Sequence, residues 1–177
     1  GVFPLVATAE GKEAAAFALL RTGGGAAPTP MTVLPETYQR VGTAGKLAAA
    51  EEVTLPNLPV DRTVRVTLGG GMGRYDWTLN GRRFDASNPL DGARQVRDGE
   101  NVELIFENTS MMWHPMHLHG HTYQHSAGGP RKDTSIVLPG QSLRVNFVAD
   151  NPGQWLMHCH NIYHGEAGMM GVLAYLA

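Results

Sequence analysis

The amino-acid sequence predicts an all-β protein, a Greek-key β-sandwich or barrel, and three observations carry that prediction. From Val60 onward, seven short β-branched or aromatic runs follow one another: 63–68, 75–79, 102–107, 134–138, 143–148, 154–158 and 171–176. Turn chemistry separates them, with Asn80-Gly81 suited to a tight hairpin and Arg97-Asp98-Gly99-Glu100, Pro139-Gly140-Gln141 and Asn151-Pro152-Gly153 closing others. The 177 residues suffice for one well-packed core plus an extra segment, and are too few for two or three full domains.

Taken in order, residues 1–30 hold two apolar runs, Phe3 to Ala9 and Ala14 to Leu20, parted by Glu10-Gly11-Lys12-Glu13. The alanine-rich second run suits helix and strand equally, because periodicity does not separate them over so short a stretch. Gly23-Gly24-Gly25 and the proline-bearing 26–35 then break the pattern. Residues 31–59 read as a linker draped over the surface, with one helix-like patch at 47–52, and residues 60–177 read as the sandwich domain. Gly69-Gly70-Gly71-Met72-Gly73 reads as a flexible turn between strands. No Lys-Ser/Thr follows it, which removes a phosphate-loop reading.

Composition excludes two partner classes. Hydrophobic residues make up 42%, and no stretch approaches the roughly eighteen apolar residues that a membrane span needs, so membrane insertion is not expected. Fourteen basic against sixteen acidic residues, with no basic cluster, leave no footprint for nucleic acid. The single cysteine, Cys159, precludes an intrachain disulfide. The Gly-Val-Phe-Pro start lacks a charged region followed by an apolar one, so either a signal has been removed or the chain begins inside a larger protein.

Six of the eight histidines lie in two compact clusters, His114-Pro-Met-His117-Leu-His119-Gly120 and His158-Cys159-His160-Asn-Ile-Tyr-His164, with Met169 five residues further on. A closed zinc site often uses two or more thiolates, which one cysteine cannot supply. Two imidazoles, one thiolate and a weak axial thioether instead make a blue, or type 1, copper site. His114, Cys159, His164 and Met169 supply that set. Successive side chains on a strand point to opposite faces, so His158 and His160 share a face that Cys159 does not. His117 and His119 likewise pair with each other, and His114 favours the opposite side. One thiolate can thus serve one metal while its two neighbours serve another.

The order His-Pro-x-His-x-His-Gly, then His-Cys-His-x3-His-x4-Met, resembles the C-terminal signature pair of the multicopper oxidases, over roughly residues 60–177. The resemblance implies a cupredoxin-type Greek-key sandwich with His114, Cys159, His164 and Met169 at type 1 copper. It further implies His117 at type 2 copper, and His119, His158 and His160 at the type 3 pair. Electrons from a small donor, a phenol or Cu(I), would enter at type 1 copper and reduce O2 to water at the trinuclear centre. That centre takes four more histidines from two His-x-His motifs of an N-terminal cupredoxin domain. Those motifs are absent here, so a missing domain or another chain is implied as partner, and the chain alone is not expected to reduce O2. Residues 1–30 resemble the closing strands of the middle domain of three-domain oxidases. A secreted, periplasmic or cell-surface location follows from the same resemblance.

Two other readings stand beside it: an electron-transfer cupredoxin, and a copper-binding or copper-resistance protein without oxidase activity. The four extra histidines weigh against the first. The methionines and Ala167-Gly168-Met169-Met170, which resembles the ending of copper-resistance oxidases, speak for the second. His121 and His125 are expected to be hydrogen-bonded or solvent-facing. Met111, Met112, Met116, Met157 and Met170 are expected to fill core gaps. Trp113 and Trp155 are expected to pack near the copper sites, Asp133 to tie down a turn, and Glu166 to be a solvated loop carboxylate.

Overall fold

A computed structural model describes residues 1–9, 12, 14–29, 42–126 and 128–176, which fall into two compact units divided between Gly42 and Thr43. Of the predicted 31–59 linker, residues 31–41 lie outside the described residues.

The first unit is a hairpin of β1 (Val2–Thr8) and β2 (Ala15–Arg21), antiparallel from Val2 opposite Arg21 to Thr8 opposite Ala15. Pairing settles the alanine-rich run as a strand. Phe17 and Leu19 alternate with exposed neighbours in the two-residue rhythm of a sheet.

The second unit is the sandwich. It begins with two single turns of 3-10 helix, Ala44–Lys46 and Glu51–Val53, so the helix-like patch expected at 47–52 is not a helix of its own. A run that short gains too few intrahelical bonds to offset nucleation. Strands follow as β3 (Arg62–Gly71), β4 (Asp76–Leu79), β5 (Arg94–Val96), β6 (Asn101–Asn108), β7 (His114–Leu118), β8 (Tyr123–His125), β9 (Arg131–Lys132), β10 (Thr134–Val137), β11 (Ser142–Val148), β12 (Gln154–Cys159) and β13 (Met170–Tyr175). One sheet runs β10-β7-β12-β13-β5 and the other β4-β3-β6-β11-β8-β9. Val66, Leu68, Trp77, Leu104, Phe106, Leu118, Tyr123, Phe147 and Leu173 fill the core with almost no exposure. Among the described residues no helix is long and apolar enough to cross a membrane.

Asn80 and Gly81 both take positive φ, 53° and 74°, as a tight primed hairpin turn requires. The glycine stretch differs from the flexible turn expected of it. Strand β3 runs through Gly71, paired with β4, and the turn begins only at Met72. Gly70, at φ 112°, lies so close to the Asp76 carbonyl that a Cβ has no room there. Glycine at position 70 admits a close neighbouring backbone.

Candidate metal centre

Strands β7 and β12 lie side by side and antiparallel, with His158 opposite His117 and Cys159 opposite Met116. Alternation on β7 turns His114, Met116 and Leu118 into the core, and sends Pro115 and His117 to the other face. On β12, Met157 and Cys159 point inward while His158 points out. The two strands therefore carry one donor group on each face.

On the inner face, His114, Cys159 and His164 converge, all buried. His114 Nδ1 is 3.0 Å from His164 Nδ1, and each is 3.7 Å from Cys159 Sγ. Three donors spaced in this way leave a central position about 2 Å from each, the length of an ordinary metal–imidazole bond. The donor set fits copper by chemistry as well, one thiolate and two imidazoles in a trigonal array. Helix α1 (Ile162–Glu166) delivers His164. The loop is tied back by Cys159 N–H donating to the Met169 carbonyl at 3.1 Å and Met169 N–H donating to the His164 carbonyl at 3.0 Å. Met169 is fully buried in the same core.

Burial shapes the acid–base state of this site. It pushes His114 down to about 4, helped by the neighbouring His164 charge, and lowers His164 too. The same burial pushes the Cys159 thiol up to about 11. Both imidazoles are neutral donors at pH 7, and the thiol releases its proton only to a metal.

On the outer face, His117, His119 and His158 bring ligand nitrogens within 4.8 Å of one another. His119 Nε2 and His158 Nε2 are 3.1 Å apart. His117 Nδ1–H donates to the Asp133 carbonyl at 2.8 Å, and His158 Nδ1–H to the Cys159 carbonyl at 3.0 Å. A carbonyl only accepts, so each Nδ1 carries the proton and each Nε2 keeps a free lone pair. The His160 ring lies beside this trio, 5.7 Å from those of both His117 and His158, though its ligand nitrogens are not among those within 4.8 Å of one another. The remaining two histidines are hydrogen-bonded. His121 is nearly buried, donates Nδ1–H to the His119 carbonyl at 3.0 Å, and meets the Tyr175 hydroxyl at 2.7 Å. His125 meets the Ser135 hydroxyl at 2.7 Å.

A multicopper oxidase family profile matches residues 57–176. The chain belongs to the multicopper oxidase family. It is 51% identical over 180 residues to the multicopper oxidase MmcO of Mycobacterium tuberculosis, covering 99% of this chain and 35% of that protein. It is 36% identical over 112 residues to copper resistance protein A of Escherichia coli, covering 61% of this chain and 18% of the other. The McoA multicopper oxidase of the hyperthermophile Aquifex aeolicus superposes with a TM-score of 0.58 at 29% identity, covering 70% of this chain and 31% of that one. The chain thus spans about a third or less of the length of these relatives. Copper is the cofactor that membership of the multicopper oxidases implies, and the fold is their cupredoxin sandwich.

Within this multicopper oxidase domain, sequence reasoning expected Trp113 and Trp155 near the copper sites and did not name Trp77. Trp77 packs against both imidazoles there, with ring centroids 4.1 Å from His164 and 5.1 Å from His114. Trp113 is partly exposed, and Trp155 packs beside His121 and over Gly120, whose positive φ and missing Cβ leave room for the indole. Ser110 Oγ, 2.7 Å from His114 Nε2, was also missed. Trp77 lies on a strand 37 residues before His114 in the chain, and nothing local marks it. The Asn108-Thr-Ser110 turn just upstream of His114 was the only available signal.

Proposed function

We propose that the chain is the C-terminal, type 1 copper-bearing part of an oxidase that couples one-electron oxidation of a small donor to reduction of O2. The reading rests above all on one observation: Cys159 joins a buried His114–His164 site on one face, while its neighbour His158 joins His117 and His119 on the other. Held by His114, Cys159, His164 and Met169, copper supplies a one-electron acceptor at the inner site, and at the outer face His117 (type 2), with His119, His158 and His160 (type 3), supplies half the ligands of an O2-reducing cluster. Cys159 and His158 connect the faces twice, through their shared backbone and through the His158 Nδ1–H bond to the Cys159 carbonyl. Trp77 and the surrounding core exclude water from the inner donors. The outer face needs a second cupredoxin surface carrying four more histidines, from another part of the polypeptide or another chain.

Residues 1–30 fit the closing hairpin of a preceding domain. A lone two-stranded hairpin is marginal in water, and Phe3, Leu5 and Leu20 are each about half exposed on this one. A secreted, periplasmic or cell-surface location accompanies the reading. Oxidation rates with Cu(I) and with phenols separate a metal oxidase from a laccase.

The test is copper loading followed by oxygen uptake. The loaded protein is expected to show an intense thiolate-to-copper band that Cys159→Ser abolishes. Stoichiometric copper without that band would overturn the type 1 assignment. The 177-residue chain alone is expected to consume no O2 until an N-terminal cupredoxin domain is added, and reduction to water by the lone chain would refute the shared cluster.

A further inference from the structure

Behind the His114 ring lies a buried polar cluster that three converging donors do not by themselves require. Ser110 and Asn108 are only 5% and 3% exposed. Asn108 Nδ2 donates to the Met112 carbonyl at 2.7 Å and the Val137 carbonyl at 3.0 Å, so its Oδ1 must face the other way, toward Ser110. There it accepts the Ser110 N–H at 2.9 Å and lies 2.9 Å from the Ser110 hydroxyl. Ser110 Oγ also accepts the Met112 N–H at 3.2 Å, and the Met112 carbonyl lies 3.1 Å away.

A hydroxyl has one proton and two lone pairs. Three acceptors lie within reach of that proton: Asn108 Oδ1, the Met112 carbonyl, and His114 Nε2 at 2.7 Å. When either oxygen takes it and Met112 N–H takes one lone pair, what is left toward His114 Nε2 is an acceptor. An acceptor there requires His114 to carry its proton on Nε2. The free lone pair is then on Nδ1, the atom that faces Cys159 Sγ and His164 Nδ1.

We propose that Ser110, oriented by Asn108, is a positioning residue for the inner copper site: it selects the His114 tautomer whose Nδ1 lone pair faces the metal, and it strengthens that imidazole as a donor. The proposal rests on the type 1 reading above. Removing the hydroxyl leaves a buried Nε2–H without a partner. Loss of such a partner costs roughly 10–100-fold in metal affinity. Cu(II) depends on donor basicity more than Cu(I) does, so the reduction potential rises, by roughly 59 mV for each tenfold difference between the two affinities.

The experiment uses the copper-loaded protein as its gene encodes it, with the blue band followed against applied potential. Ser110→Ala is expected to keep the band, bind Cu(II) at least tenfold more weakly and titrate at higher potential, while Ser110→Thr returns both values toward wild type. A folded, blue Ser110→Ala protein with unchanged potential and affinity overturns the proposal. Nitrogen-15 histidine spectra of the copper-free wild type decide the matter even if Ser110→Ala does not fold. A slowly exchanging Nε2–H on His114 supports the assignment, and an Nδ1–H tautomer refutes it. A wild-type protein that never turns blue refutes the type 1 reading instead, and the tautomer measurement stays valid in that case.

Discussion

The two faces of the β7–β12 pair make an instructive comparison. They are built from the same few residues of chain, yet the inner donors are buried and the outer ones only partly so. His114, Cys159 and His164 are buried, packed against Trp77 and supported from behind by Ser110. His117, His119 and His158 converge comparably well but lie toward solvent, and His160 stands outside their trio. A site enclosed by its own domain can hold its donors rigid before metal arrives. A site completed by a second surface is organised only as far as its own strands reach.

The largest effect expected of this difference is a separation of colour from turnover. In the protein as its gene encodes it, His158→Ala should leave the blue band intact and lower oxygen uptake at least roughly a hundredfold, since losing a direct ligand costs no less than losing its supporting partner. Cys159→Ser should remove both. If His158→Ala bleached the band, the faces would not be independent.

Packing comes next. Trp77→Ala empties a fully buried volume beside His114 and His164, and should cost about 3–5 kcal/mol of stability, measured as a lower urea midpoint. Truncating Trp113, which is partly exposed, should cost well under half as much. Equal losses would mean that the inner site is not specially enclosed.

The pH dependence of copper-free protein reports the same enclosure. His114 is depressed from 6.5 to about 4 in the folded state, so between those values the unfolded chain binds a proton that the folded chain refuses. The stability tied to neutral His114 is fully present above pH 6.5 and is lost as pH falls toward 4, a decline on the order of 2 kcal/mol. His164, His158 and His119 are lowered as well and act in the same direction. A urea midpoint that holds steady from pH 7 to pH 4.5 would contradict this. Copper should flatten the curve, because bound imidazoles no longer titrate.

The smallest effect is a control remote from both faces. Arg62 clasps Glu100 through two bonds of 2.6 Å and holds its carboxyl at about 2 rather than 4.5. The pair is partly exposed, so Glu100→Gln should cost about 1 kcal/mol or less at neutral pH, with the contribution fading as pH drops from 4.5 toward 2. The blue band should not shift.

Much of this molecule was legible in the chain. The runs at 102–107 and 143–148 became β6 and β11 because each is rich in β-branched and aromatic residues and bounded by clear turns. Asn80-Gly81 announced its hairpin, and the odd and even spacing within each histidine cluster sorted the donors onto two faces through the two-residue repeat of a strand. Strand β7 carried no propensity signal of its own, since His-Pro-Met-His-Leu has little intrinsic preference for a strand, and only the spacing of its histidines suggested an extended course. It exists because β10 and β12 pair with it on either side. The alanine-rich run at 14–20 was undecided for the same reason, and β1 decided it.

By itself, then, the sequence determined the chemistry of the donors, their sorting onto two faces and the sandwich class, because each of these follows from local spacing and residue type. Only the tertiary structure decided that Trp77 rather than Trp113 or Trp155 lies against the inner imidazoles, and that Ser110 and Asn108 stand behind His114. Only it showed that the Gly70 backbone meets Asp76 instead of flexing in a turn. Trp77 is 37 residues from His114 in the chain, and although Ser110 and Asp76 lie close in sequence to the groups they meet, no local period encodes which side chain fills a particular space in a close-packed core.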